Sequence, residues 1–205
     1  MEPFANALGI TDEEFRPWRE LFFSKSSALL LVEGNIDREY FELLRAPAHG
    51  SNRLDFDGEV FPYGGRDALK NQALLRFIKD RFSPVFVTFD LDAQEVVEKP
   101  LQALGFEKRQ SYLPIGLSAA GKKNIEGLLP ERIRTAVYSE NPDVVQALTG
   151  TNDERKDAHQ KLKRLCCERF KGEAKPGDDY QGFYDVARVI TKALKKTADP
   201  GVSAG

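Results

Sequence analysis

The sequence predicts an α/β fold: a parallel sheet with helices on both faces, followed by an added C-terminal helical segment. Three observations lead there. Two unbroken apolar runs, Ala28–Val32 (ALLLV) and the PVFVTFD of residues 84–90, read as strands buried on both sides. Segments with helical apolar spacing alternate with these and two further strand candidates, giving a β-α-β-α-β-α-β succession. Beyond Pro130 only helical patterns follow.

In chain order, Thr11 is placed as the cap of a first helix with the acidic opening turn Asp12, Glu13 and Glu14 and the apolar face Phe15, Trp18, Leu21 and Phe22. This helix, within residues 1–26, is expected to pack on the outside of the sheet. The first strand ends in a carboxylate, Glu33; Gly34 permits a turn; from Asn35 the residues Ile36, Tyr40, Leu43 and Leu44 recur with helical spacing, with Asp37 in the first turn. Pro47, Gly50, Ser51 and Asn52 are loop residues, which also puts His49 in a loop. The LDFDGEVFPYGG of residues 54–65, interrupted by Gly58, reads as a strand or irregular hairpin ending at Tyr63, with Gly64 and Gly65 as its exit turn.

Ala68, Leu69, Ala73, Leu74, Phe77 and Ile78 predict one helix over residues 67–81. The second apolar run then ends in Asp90, with Asp92 two residues later. A helix over residues 93–104, a turn at Gly105 and a strand over residues 111–115 complete the alternation. The GLSAAGKKNIEGLLP that follows carries Glu126 just before Pro130. Helices are predicted over residues 131–138, near Val144, over 152–171 and over 180–196, forming an extension across residues 131–197; residues 198–205 form a small-residue tail expected to be disordered.

Composition narrows the function classes. The 205 residues suffice for one generous domain, and 41% apolar with 30% charged residues is ordinary for a soluble protein. A net charge of -2 gives no general affinity for polyanions, so any nucleic-acid binding must rest on local basic patches or metal ions. The two cysteines, Cys166 and Cys167, are neighbours that cannot clip distant parts together, which indicates a reducing compartment. No run approaches the roughly 20 apolar residues of a membrane span, and MEPFANALGITDEEF lacks a signal-peptide layout; the chain is read as cytoplasmic.

Acids therefore stand at three junctions: Glu33 with Asp37, Asp90 with Asp92, and Glu126. Ligands of open α/β sheets bind at strand carboxyl ends, and hard cations such as magnesium take oxygen donors there. Taken singly, Asp37 or Glu126 reads more simply as a solvated turn residue. Glu33 and Asp90, each ending a buried strand, read better as a cation site, because crowded carboxylates repel one another unless a cation relieves them.

The order and spacing of VEGNID at residues 32–37 and DLD at 90–92 resemble the Toprim domain, a Rossmann-like fold shared by topoisomerases, primases and certain nucleases; NIEGLLP at 124–130 resembles more narrowly the C-terminal catalytic region of the OLD (overcoming lysogenization defect) nucleases. The resemblance spans residues 28–130 and puts the catalytic core at 27–130. It implies a DNA nuclease, with roles in phage defence or DNA repair, that uses two Mg2+ or Mn2+ ions. Glu33 and Asp37 would hold one ion, Asp90 would bridge or neighbour both, and Asp92 with Glu126 would help hold the second. Two cations about 4 Å apart need no side-chain base, which suits a chain whose only histidines are His49 and His159, the latter on a solvated helix face.

The family also uses a basic group near the scissile phosphate. Lys122 and Lys123 flank Glu126, while Lys161, Lys163, Arg164, Arg169 and Lys171 crowd the long helix; Lys163 is the choice, because it lies in the periodic part. DNA is the expected partner; full-length OLD proteins are expected to carry an N-terminal ATPase domain, which is a partner if this chain is an excised region and not if it is a free-standing relative, and oligomeric state stays open. GLSAAGKK at residues 116–123 nearly spells a phosphate-binding loop, but Lys123 replaces the magnesium-binding hydroxyl. Tyr63 is placed where it can face the site. Trp18, Phe22, Phe23, Phe82 and Phe86 read as packing residues. Two rivals remain: a primase-like nucleotidyl transferase and a non-catalytic Toprim binding or assembly module.

Overall fold

Both apolar runs fold as central strands. In a computed structural model, which describes residue 11 and residues 18–22 and 24–195, β1 (Ala28–Val32) and β3 (Val85–Asp90) are buried along their whole length. They pair in parallel, Leu30 opposite Phe86, and are flanked by β2 (Gly58–Pro62) and β4 (Tyr112–Ile115), giving an all-parallel sheet of order β2-β1-β3-β4. The fold is α/β and Rossmann-like, with helices on both faces and a C-terminal helical segment.

Helices are α1 (Arg19–Phe22), α2 (Asn35–Leu44), α3 (Gln72–Arg81), α4 (Gln94–Ala103), α5 (Glu131–Glu140), α6 (Pro142–Ala147), α7 (Asn152–Glu173) and α8 (Gln181–Lys195). Successive strand residues point to opposite faces. Ala28, Leu30, Val32 and Phe86 therefore pack on α2, α5, α7 and α8, through Tyr40, Phe41, Ile133, Leu162, Phe170 and Phe183. Leu29, Leu31, Val87 and Phe89 face the other way, onto α3 and α4 and onto Trp18 and Leu21. The C-terminal helices thus share one core with the sheet.

Several expectations need adjustment. The helix foreseen over 67–81 is two pieces, a 3-10 turn Arg66–Lys70 and then α3, because Asn71 leaves the helical region (φ -78, ψ 95) and its side chain caps Leu74 N at 3.0 Å. Of the two alternatives for residues 54–65 the structure has the strand, β2, paired in parallel with β1. Arg45, the residue that caps the C-terminus of α2, covers the edge of β2, donating to the Gly58 and Phe56 carbonyls at 3.1 and 3.2 Å with its guanidinium over the Phe56 ring. The acidic opening turn foreseen after Thr11, together with Phe15, Phe23 and the tail at 198–205, lies outside the described residues. Trp18, Phe82 and Phe86 are buried, as packing residues should be.

His49 is the clearest departure. It sits in the 3-10 segment Pro47–Asn52 and is buried, because a tyrosine 135 positions away closes over it. Nε2 lies 3.1 Å from the Leu43 carbonyl, an acceptor, so Nε2 carries the proton and Nδ1 accepts from the Tyr184 hydroxyl at 3.1 Å; Gly177 N donates to that hydroxyl at 2.8 Å. Burial pushes the imidazole pKa down. His159 is exposed on α7, as expected. Among the described residues, no helix is long and apolar enough to cross a membrane.

Candidate functional site

The strand order reverses direction between β1 and β3: β2 lies on one side of β1, and β3 and β4 lie on the other. The carboxyl ends of these neighbours form the crevice in which open α/β sheets bind ligands. Glu33 and Asp90 stand there, and the Asp90 backbone N–H donates to Glu33 Oε2 at 3.3 Å. Had these acids been on opposite edges of the molecule, a shared cation would have been impossible. The backbone around them is tied down. Gly64 and Gly65 N–H groups both donate to the Glu33 carbonyl at 3.1 Å, and Thr88 Oγ1 donates to the Leu31 carbonyl at 3.2 Å, lacing β3 to β1.

Asp37 enters from the first turn of α2, and is buried rather than solvated. Gly34 before that helix has extended backbone (φ -143, ψ 177), which any residue adopts; what favours glycine is room, because a Cβ there would approach Asp37 Oδ2 to 3.3 Å. Glu126 comes from the 3-10 turn Ile125–Leu128, in which every residue is buried. That turn is pressed onto the preceding loop, so that a Cβ on Gly127 would meet the Lys122 carbonyl oxygen at 2.1 Å. Arg134 of α5, also buried, donates to the Gly121 carbonyl at 3.3 Å and holds the loop from the other side.

Lys163 reaches the acids from α7. Its Nζ lies 3.5 Å from Asp90 Oδ2 and 3.9 Å from Glu126 Oε2. The neighbouring basic groups point elsewhere: Arg164 and Lys171 pair with Glu39, and Arg169 with Glu140 and Glu173. The fold therefore brings Glu33, Asp37, Asp90, Glu126 and Lys163 together. Asp92, on the turn Leu91–Ala93, is exposed at the rim.

Electrostatically the cluster is short of positive charge. Burial, then the charge of Glu126, pushes the Asp37 pKa up to about 7 despite the opposing effect of Lys163. Burial pushes Asp90 to about 8 and Glu126 to about 7, again against the pull of Lys163. Burial works against the charge on Lys163 itself, but Glu126, Asp90, Asp37 and Glu33 outweigh it and hold the ammonium well above its ordinary value. Asp90 Oδ1 and both Glu126 carboxylate oxygens are buried with no hydrogen-bond partner. Orphaned buried carboxylate oxygens are costly, and this all-oxygen donor set suits a hard divalent cation. Among the described residues, no group of three or more His, Cys, Asp or Glu side chains is placed so that it could hold a metal ion, and the cation lying between Asp90 and Glu126 is the Lys163 ammonium.

Two tyrosines border the cluster. Tyr63 is buried and donates to the Thr88 carbonyl at 3.0 Å, so its hydroxyl braces β3; burial, with Glu33, Asp37 and Asp90 nearby, raises its pKa. Tyr40, one turn along α2 from Asp37, has a buried hydroxyl with no partner, and burial followed by the Glu126 charge raises its pKa. Its helical spacing marked it as core, and nothing in the pattern distinguished the hydroxyl. Arg134 was missed as well, hidden in a helix whose only sequence signal is its period.

Comparison of the chain with protein-family models, with curated proteins and with solved structures finds no match.

Proposed function

We propose that this chain is a Toprim-type, metal-dependent DNA nuclease, of the kind that forms the catalytic region of OLD-family proteins. The observation carrying this reading is the contact of Asp90 with Glu33 at the switch point of the sheet, surrounded by buried carboxylate oxygens that lack donors. Glu33 and Asp37 would hold one Mg2+ or Mn2+ ion, Asp90 would neighbour both ions, and Asp92 with Glu126 would help hold the second. When bound, such ions supply the Lewis acidity that activates water and stabilises a leaving oxygen.

The protein's own residues do the rest. Lys163 keeps its proton at neutral pH, offsets part of the cluster's negative charge, and offers N–H donors to a phosphate oxygen. The buried end of β3 holds Asp90, the first turn of α2 holds Asp37 and the buried 3-10 turn Ile125–Leu128 holds Glu126. With a net charge of -2 the molecule has no bulk attraction for DNA, so contact depends on local basic groups and on metal ions held at this site.

A non-catalytic binding module is the second reading, favoured by the Lys163 ammonium already lying between two of the acids. Incubating purified chain with supercoiled plasmid in Mg2+ or Mn2+, with and without EDTA, separates the two. Cutting that needs metal and disappears in Glu33→Ala and Asp90→Ala, with unchanged circular dichroism, supports the nuclease. Cutting that survives both substitutions overturns it. Growth of labelled polymer from nucleotides on a template, in place of cutting, would identify a primase-like transferase.

A further inference from the structure

At the opposite end of the sheet, the amino end, lies a cavity of about 800 Å³ floored by Pro84 and Val85 at the start of β3 and by Ser111 just before β4. About 17 Å of strand, five steps of roughly 3.3 Å, separates this end of β3 from Asp90, so the cavity is distinct from the acid cluster. We propose that it binds a nucleoside polyphosphate.

Its lining carries three cations from three separate segments, Lys79 of α3, Arg109 of the turn before β4 and Lys192 of α8, and no carboxylate. The chain holds 30 basic and 32 acidic residues, so a lining with three of the first and none of the second departs from that balance. Arg109 and Lys192 form no ion pair or side-chain hydrogen bond among the described residues, whereas Lys195, three residues along α8, is paired with Asp55. The carboxylate of Glu107 reaches this lining only through the Gln110 amide, which donates to it at 2.6 Å. Lys79 is held in position: its Nζ donates to the Leu104 carbonyl at 2.6 Å and lies 5.2 Å from the centre of the Phe106 ring. A second donor goes to the Gly105 carbonyl at 3.4 Å, which leaves the third donor of the ammonium to meet an anion.

Arg109 adds an independent sign. It is the one non-glycine residue with positive φ (63) among the described residues. That region disfavours a long side chain, and such conformations persist where the surroundings hold them and cluster at binding sites. Here it presents a guanidinium, the group best matched to phosphate.

Size and walls define the ligand. The volume falls within the range of about 300–1,000 Å³ usual for small-molecule sites. Val189 and Ala193 of α8, both half-buried, and Pro84 give apolar contact for a flat ring beside the cations, while Phe82 and Phe106 in the same lining are almost fully buried. Several phosphates joined to a base satisfy both features; an inorganic anion satisfies only the first.

Calorimetric titration of the intact chain in EDTA, where metal cannot bridge a nucleotide to the acid cluster, tests this with ATP, inorganic tripolyphosphate, adenosine and a dT oligonucleotide as probes. Saturable binding of one ATP per chain is expected, weaker by at least tenfold with tripolyphosphate or adenosine alone. Lys192→Glu and Arg109→Asn should each weaken ATP binding at least tenfold with unchanged circular dichroism, and Asp90→Asn should leave it unaltered. Absence of saturable ATP binding, binding indifferent to both substitutions, or oligonucleotide binding that ATP fails to displace would each overturn the assignment. Because no metal is present, the result is independent of whether the chain cuts DNA.

Discussion

The two ends of the sheet gather like charges in opposite ways. At the carboxyl end, Asp37, Asp90 and Glu126 are buried and pushed toward neutrality in their protonation, and one lysine stands among them. At the amino end, Arg109 and Lys192 are exposed, and water screens their repulsion. Crowding of like charge is expensive in a poorly solvated crevice and nearly free at the surface. The first end therefore needs a counter-charge to be stable, while the second merely offers one to a ligand.

The largest expected break in this contrast is Lys163→Met. Removing the sole cation from buried acids should cost about 3 kcal/mol near pH 8, the usual scale for breaking a buried pair, and clearly less near pH 5, where the acids are protonated; urea melts at both values measure it. Next comes Gly127→Ala, whose Cβ would strike the Lys122 carbonyl oxygen and push the turn bearing Glu126 aside. About 2 kcal/mol of destabilisation is expected, with loss of metal-dependent cutting in the plasmid assay.

The comparison is sharpened further through pH. Carboxyls whose folded values are raised bind protons more tightly in the folded chain, so their favourable contribution is complete below the ordinary carboxylate range and is lost as pH climbs through about 7 for Asp37 and Glu126 and about 8 for Asp90. Metal-free protein should accordingly lose stability between about pH 4 and pH 8, with the alkaline group Lys163 contributing no change in that window. Asp90→Asn should raise stability at pH 8 by about 1 kcal/mol, and Mn2+ should raise the melting temperature of the parent chain at pH 8 far more than that of the variant. A flat pH profile by calorimetry would contradict the crowding of acids. Smallest of all, Lys192→Glu should shift stability by less than about 0.5 kcal/mol, as exposed charges do; a larger loss in a thermal melt would mean that the amino end is also built on its charges.

Much of the carboxyl end was legible because its signals are local. An apolar run that stops at an acid identifies both a buried strand and the polar group at its mouth, so Glu33 and Asp90 were marked by their own neighbours. Lys163 was reachable through helical period. Asp37 and Glu126 were harder: as isolated acids they read as solvated, and only the closing of α7 over the crevice and of the loop at 116–124 beneath Ile125–Leu128 buries them. The basic cavity was invisible, since Lys79, Arg109 and Lys192 are separated by thirty residues or more and acquire a common setting only when α8 crosses the sheet. His49 failed for the same reason, its partner Tyr184 lying far along the chain. Asn71 is different: its capping was readable in principle, but an uninterrupted apolar spacing masked it.

Arg45 has a consequence for how the molecule behaves among copies of itself. Among the described residues β2 is an edge strand, the kind of border along which a foreign strand can zip and start an aggregate. With the guanidinium seated on the Phe56 and Gly58 carbonyls, an incoming chain meets acceptors already taken and a positive charge it must desolvate. The same helix that presents Asp37 to the crevice thus keeps the sheet from growing sideways.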